Sequence, residues 1–391
     1  MTKYLFYTEN HVFGGGNKYM FDLMQALIND SNQIFLYCNH KGLGVAEQRT
    51  LDPRIILKHI KIFHINFLKN LYGSNKIINR LIYLISILIE PFLILLNIFY
   101  LIPNILKANP DQIVVCNGGY PAALSCLSMI IVGKVCRIPV VVSIVSMPVI
   151  RRKFIAYYDK LLDYCIWNSI EFAIVNCNSI KNNLNLLRGL PLDKIHVIYN
   201  AIKNKQQRLF NIFEKNEVTI GCISRLDFNK GVMILLEVFK KLSHKYNYIR
   251  LLLVGTGDAY KDLQGKIQEY GLDNNIKLTG FFDGDIFTAF EQIDLFVLPS
   301  FWEGLPYSVI EACSCGRAIV ATDVGGIREI IENNVSGILV PPRSEEGLLN
   351  AIEFCLNNRD IAKKMGMHAR QTYEKKFNLE GMYEKVRQIL K

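Results

Sequence analysis

Charge is sparse in this chain. Only 20% of its 391 residues are charged, half are hydrophobic, and charged runs are short. A disordered polymer is thereby excluded. No disulfide framework is visible either: ten cysteines are scattered without regular spacing, so reduced thiols in a cytoplasmic protein are expected. The opening MTKYLFYTENHVFGGG has no basic segment followed by an apolar one, and no secretory leader is expected. Zinc-finger, RNA-recognition and helix-turn-helix patterns are missing, so nucleic acid is not an expected partner. Also missing is a complete dinucleotide fingerprint. Gly14-Gly15-Gly16 lacks its spacing, and Gly255-Thr256-Gly257 has no third glycine.

What is present begins with length. At ~100–200 residues per domain, the chain predicts two domains, each able to bury a core. The net charge of +10 is divided unevenly. Residues 1–200 carry 20 Lys and Arg against 11 Asp and Glu, a net of +9, and residues 201–391 carry 25 against 24, a net of +1. A basic first half suits nucleic acid, an anionic membrane surface or a phosphorylated substrate, of which nucleic acid is the weakest. Strand-like runs at 3–8, 33–38, 112–116, 139–145, 172–176 and 195–198 alternate with helix-like runs, the first from about Asn17 to Ile28. A second series occupies 218–224, 250–254, 276–279, 295–299, 318–322 and 338–340. This alternation predicts two α/β doubly wound parallel sheets facing a cleft, joined through the polar stretch 201–216.

Residues 81–102 (LIYLISILIEPFLILLNIFYLI) contain one charge, Glu90, and are long enough to cross a bilayer, which takes ~20 residues. If the strands at 3–8 and 112–116 share one sheet, however, the segment cannot span. Glu90 would also cost on the order of 3 kcal/mol in a membrane, and Pro91 is expected to break the helix. Two readings stay open. One is a core helix pair. The other is an apolar surface resting on a membrane, aided by Lys69, Lys76, Arg80 and Lys107.

Three stretches carry chemistry. The glycines at 14–16 and 255–257 allow close backbone approach to a ligand at a helix start, or form plain tight turns. Ser224-Arg225-Leu226-Asp227-Phe228-Asn229-Lys230-Gly231 closes the first strand of the second half. It presents a guanidinium fork and a mobile ammonium suited to a diphosphate, unless Arg225 simply pairs with Asp227. In Glu303-Gly304-Leu305-Pro306-Tyr307-Ser308-Val309-Ile310-Glu311, two carboxylates bracket a turn into a helix, with Pro306 in its first turn. The helix-start amides suit a phosphate, and the carboxylates suit sugar or ribose diols. The apolar flanks DLFVLPS and ACSCGRAIVAT place Glu311 near a buried wall rather than in solvent.

Together, ISRLDFNKG, LLLVGTGD and LTGFFDGDIFTAFEQIDLFVLPSFWEGLPYSVIEACSCGRAIVATDVGGIREII resemble the signature blocks of retaining glycosyltransferase family 4, including its E-x7-E element. ENNVSGILVPP continues the resemblance. In the first half it is looser, carried by FGGGNKYMFDLMQAL and VIYNAI. The resemblance implies a GT-B fold with an acceptor-side domain at 1–203, a donor domain at 204–377, and a last helix at about 378–391 packing back on the first. It implies a nucleoside-diphosphate sugar, a UDP-sugar first of all. Arg225 and Lys230 would hold the diphosphate, Glu303 the donor sugar and Glu311 the ribose. Arg225, Lys230 and Glu303 would be the catalytic set. Gly255 and residues Gly304, Leu305, Pro306, Tyr307 and Ser308 would complete the donor site, with Gly15 and Gly16 on the opposite wall. Retention of anomeric configuration is implied, with no metal and no other cofactor. Asp283-Gly284-Asp285 has the form of a metal motif but reads as a turn in a polar loop.

One departure stands out. Many members of the family it resembles carry a histidine after the strand written here PVVVSIVSMPV. The corresponding position is Val145, with Ser143 and Ser146 nearby, and no histidine aligns there. His11, near the glycine loop, is expected to be structural or exposed. Asn117, Gly118 and Gly119 are candidates for the acceptor wall. The expected activity is transfer of a hexose-type sugar to a lipid-diphosphate-linked saccharide in bacterial surface-polysaccharide synthesis, lipopolysaccharide or capsule. The enzyme would be peripheral on the cytoplasmic face of the cell membrane. Rival readings are a soluble transferase acting on a small sugar, a nucleotide-sugar epimerase and a non-catalytic nucleotide-sugar-binding subunit.

Overall fold

A computed structural model of the chain describes residues 1–9, 14–39, 51–64, 76–121, 123–203, 212–282 and 284–390. These form two compact units. Unit 1 comprises Met1–Ile198 with Tyr383–Lys391, and unit 2 comprises Tyr199–Met382. This division falls a few residues before the expected boundary at 203/204. Much of the expected linker, 204–211, lies outside the described residues, as do His11, Lys69, Asp283 and the side chain of Lys76.

Unit 1 is a seven-stranded parallel sheet in the order β3-β2-β1-β4-β5-β6-β7. Its strands are β1 (Thr2–Thr8), β2 (Asn32–Asn39), β3 (Ile55–Ile60), β4 (Gln112–Asn117), β5 (Val140–Ile144), β6 (Phe172–Val175) and β7 (Ile195–Val197). Every residue of β4 and β5 is buried. Strands covered on both faces read as the continuous apolar runs QIVVCN and VVVSI. The edge strand β3 has only Ile55 and Ile60 buried and gives no such run, which is why it was not expected. Four helices matter here: α1 (Gly15–Leu27), α2 (Lys76–Ala108), α3 (Leu124–Val135) and α4 (Ala156–Trp167). The end of the chain belongs to this unit. The Tyr4 hydroxyl donates to the Leu390 carbonyl at 3.3 Å, and Arg387 Nε donates to the Ala26 carbonyl at 2.8 Å.

The apolar segment is a single helix, α2, with Pro91 and Pro103 inside it, rather than a pair broken at Pro91. A proline within a helix costs ~3 kcal/mol. Burial of Ile82 before it, and of Leu93, Ile94, Leu101 and Ile105 after it, offsets that cost. Glu90 is buried, and Arg152 Nη1 donates to its Oε2 at 2.7 Å. By length and composition α2 could cross a membrane. In this fold it connects β3 to β4, two strands of one parallel sheet, so a bilayer crossing would put strands of the same sheet on opposite sides of the membrane.

Unit 2 holds a six-stranded parallel sheet, β10-β9-β8-β11-β12-β13. The strands are β8 (Val218–Ile223), β9 (Ile249–Val254), β10 (Ile276–Leu278), β11 (Leu295–Leu298), β12 (Ala318–Thr322) and β13 (Ile338–Val340). β8 and β11 are neighbours through Leu295↔Ile220 and Phe296↔Gly221. The direction of strand succession reverses between them, the point at which such sheets leave room for a ligand beyond their carboxyl ends. The last helix, Leu379–Ile389, begins in unit 2 and ends in unit 1.

Candidate functional site

Beyond the carboxyl end of β8 the chain turns through Ser224–Gly231, and beyond β11 through Pro299–Pro306. The two turns meet. Lys230 Nζ lies 2.7 Å from Glu303 Oε1, with the two side chains only 16% and 9% exposed. The Ser300 hydroxyl, itself fully buried, donates to the same Oε1 at 2.7 Å. Thr322 Oγ1 in turn donates to the Ser300 carbonyl at 2.5 Å. The Phe301 amide donates to the Asn229 carbonyl at 2.8 Å, which ties the two turns backbone to backbone.

Arg225 is half exposed, and its Nη1 lies 2.9 Å from Asp227 Oδ2. The pairing with Asp227 weighed from spacing is therefore present in this structure. Asp258, in the turn after β9, accepts from the Phe228 amide at 2.9 Å and fixes the far side of the loop. Gly255 has φ +135°, and a Cβ there would fall 1.9 Å from the Ser224 carbonyl oxygen. Its expected role in close backbone approach is thus played against the Arg225 loop itself.

The helix Tyr307–Ser314 follows. Pro306 is its N-cap, at φ −71° and ψ 126°, one residue before the first turn where it was expected. Among the described residues no side chain caps this helix start, and the amides of a first turn have no carbonyl of their own helix to bond. Leu305 and Tyr307 are buried, and Ser308 is half-buried. Gly304 O accepts from the Gly326 amide at 2.7 Å. Glu311, in the second turn of the helix, is buried as the flanking sequence implied. Burial pushes the Cys222 thiol, beneath the site, up to about 11, against Ser224 and Lys230, which lower it. It is an inert thiol at neutral pH.

Several contributors escaped the sequence reading. Ser300 and Thr322 orient Glu303, and the buried Asn200 amide donates to the Leu305 carbonyl. Gly325 has φ +57°, and a Cβ there would lie 2.0 Å from the Glu303 carbonyl oxygen. Only the serine three residues before Glu303 and the VIYNAI motif carried a trace of this in the sequence.

The first-half candidates form a group of their own in unit 1. Gly15 and Gly16 open α1, the first helix described after β1. Thr8, Gly16, Cys116, Asn117, Gly118, Ser143 and Val145 line a hollow of about 20 Å³ where the strand order reverses between β1 and β4. That is room for about one water. A Cβ on Gly16 would be 3.4 Å from Val145 Cγ2, so a valine methyl faces the glycine turn where the resemblance implies a histidine. Asn117 is 4% exposed, and its Nδ2 has no hydrogen-bond partner among the described residues. Gly119 lies beside Ser146 and the Met147 carbonyl. Among the described residues, no three His, Cys, Asp or Glu side chains gather as a metal cluster.

Comparison with known proteins gives two family models that adjoin along the chain. Residues 13–205 match the model described as Glycosyltransferase Family 4, and residues 203–372 match Glycosyl transferases group 1. An uncharacterized glycosyltransferase of Methanocaldococcus jannaschii is 24% identical over 66% of this chain and 70% of its own length. The amylovoran biosynthesis glycosyltransferase of Erwinia amylovora is 27% identical over 52% of each chain. The chain spans about half the length of several other curated relatives it matches. Among solved structures, the Anabaena protein HepE in complex with UDP superposes with a TM-score of 0.72, at 18% identity and over 100% of this chain and 99% of that one. The two doubly wound sheets are those of the GT-B fold.

Proposed function

We propose, for a chain that belongs to the GT-B glycosyltransferases, that it moves a sugar from a nucleoside-diphosphate sugar to a hydroxyl of a membrane-bound, lipid-diphosphate-linked saccharide in polysaccharide biosynthesis. Retention of anomeric configuration and independence of metal are part of this reading. The observation that carries it is the Lys230–Glu303 pair, held by Ser300 at the reversal point of the unit 2 sheet beside Arg225 and an uncapped helix start. UDP is the favoured nucleotide, with support from the UDP complex of HepE. The polysaccharide setting draws support from the amylovoran enzyme.

In this reading the donor diphosphate takes Lys230 and Arg225 as counter-charges and the amides at 307–309 as hydrogen-bond donors. Glu303, released from Lys230, accepts from hydroxyls of the donor sugar. Glu311 accepts from the ribose. As the glycosidic bond stretches, negative charge grows on the leaving diphosphate. Preorganised cations and amides stabilise that charge without solvent reorganisation, and this is the main source of rate. The acceptor hydroxyl attacks on the face the diphosphate leaves and passes its proton to the departing phosphate oxygen, so no protein nucleophile is required. Within unit 1, Asn117 and Ser143 are among the polar residues that line the hollow beside Val145. The apolar α2 and the basic first half support a membrane-borne acceptor and a peripheral place on the cytoplasmic membrane face.

The test is nucleotide release across a panel of nucleotide sugars, with and without lipid-linked saccharides. The expected result is release of UDP that rises strongly with the lipid acceptor, and an α-linked product from an α-linked donor. Release stimulated only by free sugars would overturn the acceptor. Tight nucleotide-sugar binding without turnover on any acceptor would establish the non-catalytic reading, which Val145 in place of the histidine favours.

A further inference from the structure

Helix α2 is apolar on two sides. Its inner side buries Leu93, Ile94, Leu101 and Ile105. Its outer side exposes Leu81, Leu84, Leu88, Phe92, Leu95 and Phe99. These outer residues follow one another at steps of three or four, so they form one stripe. At 1.5 Å per residue the stripe is about 27 Å long. A helix apolar all round needs cover on both sides.

The same pattern recurs after β5. In α4, Leu162, Asp163 and Ile166 are buried, while Tyr157, Leu161 and Tyr164 are exposed at i, i+4 and i+7. The lead-in adds Ile150 and Phe154, the latter 91% exposed. Right-handed crossovers place the β3–β4 and β5–β6 connections on the same face of the sheet. Arg152 joins them there. Its guanidinium bonds Glu90 in the middle of α2 at 2.7 Å and Asp159 in the first turn of α4 at 2.6 Å. Its backbone amide also donates to Asp159 Oδ2 at 2.8 Å.

We propose that α2 and the Ile150–Tyr164 segment form one two-part surface that lies on an anionic lipid bilayer, with Arg152 setting the spacing of the two parts. This rests on the membrane partner of the proposed function and extends it from one helix to two. Exposed Lys153 and Lys160 alternate with Phe154, Tyr157, Leu161 and Tyr164, while Arg80 and Lys107 flank the α2 stripe. Aromatic rings with a polar tip sit at headgroup level, and lysine stems reach past apolar surface to lipid phosphates. The net +9 of residues 1–200 complements such a bilayer and repels a second copy of the chain.

The experiment is co-sedimentation of the full chain with phosphatidylcholine vesicles, with and without phosphatidylglycerol. Two triple variants are compared, Leu84→Ser/Leu88→Ser/Phe92→Ser and Phe154→Ser/Tyr157→Ser/Leu161→Ser. The expected result is binding to the mixed vesicles that falls by about tenfold or more in each triple, with melting temperature and lipid-independent donor hydrolysis unchanged. A single Phe154→Trp change provides a gain of signal, a blue-shifted emission quenched by brominated lipid. If the second triple binds the mixed vesicles as the parent does and the Phe154→Trp emission does not respond to them, while the first triple no longer binds, the two-part surface is overturned and the one-helix membrane reading stands. If the unaltered chain ignores both vesicle types, the membrane partner itself falls. A dimer dissolved by the second triple at unchanged vesicle binding would identify the α4 surface as a self-association face and would also overturn the proposal.

Discussion

Removing the Lys230 ammonium separates its structural and chemical roles. At 2.7 Å the pair attracts by about 6 kcal/mol at an effective dielectric of ~20, most of which repays desolvation. Breaking a fully buried pair costs ~3–5 kcal/mol. Here Lys230 retains some access to water, and the Ser300 hydroxyl stays on Glu303, so Lys230→Met is expected to cost unit 2 about 1–3 kcal/mol. Glu303→Gln should cost a similar amount, and the double variant clearly less than the sum, a coupling of ~1–2 kcal/mol. The two tryptophans fall one in each unit, Trp167 and Trp302, and Trp302 adjoins Glu303. Urea unfolding followed by Trp302 emission in a Trp167→Phe background therefore reads unit 2. In the same proteins, loss of one preorganised donor to the leaving group should lower transfer by ~100–1,000-fold. UDP should raise the unfolding midpoint of the parent and hardly that of Lys230→Met. Additive single-variant energies together with transfer within a few-fold of the parent would refute both the coupling and the catalytic role.

Other outcomes are expected elsewhere. Gly325→Ala should destabilise unit 2 by at least about 2 kcal/mol and lower donor affinity, because its Cβ would strike the Glu303 carbonyl at a left-handed φ; thermal melting with and without UDP checks this. Turnover should survive exhaustive chelation, and activity that returned only with Mg²⁺ or Mn²⁺ would contradict the metal-free mechanism. Burial alone would raise the Asp159 carboxyl, but the hydrogen bonds and charge of Arg152 outweigh it and hold it below the usual carboxylate range. A depressed folded value stabilises above the unfolded value of ~3.9 and is lost as pH falls through the folded one. Acid unfolding of unit 1 should therefore lose one step of its pH dependence below about pH 4 in Arg152→Gln, while its stability at pH 7 falls.

The sheets were legible because parallel strands buried on both faces are written as unbroken apolar runs. The edge strand β3 was not, since IILKHI buries only its ends. Pro91 misled because a local cost of ~3 kcal/mol was weighed without the packing on either side of it. At the site, Lys230 and Glu303 could each be named from local sequence, but their partnership could not. They are 73 residues apart, and only the adjacency of β8 and β11 brings them together. Gly325 was invisible for the same reason, since its requirement is set by where the Glu303 carbonyl comes to rest.

The discontinuity of unit 1 has a consequence during protein synthesis. Residues 1–198 leave the ribosome first, but Tyr383–Lys391, with Val386 and Leu390 buried, arrives only after unit 2. At ~5–20 residues per second the nascent unit waits about 10–40 s without the helix end that Tyr4 and Arg387 fasten. During that interval the seat for Val386 and Leu390, beside Tyr4 of β1 and Ala26 of α1, is open. A premature stop after residue 382 would leave every strand of unit 2 intact and injure the unit made first.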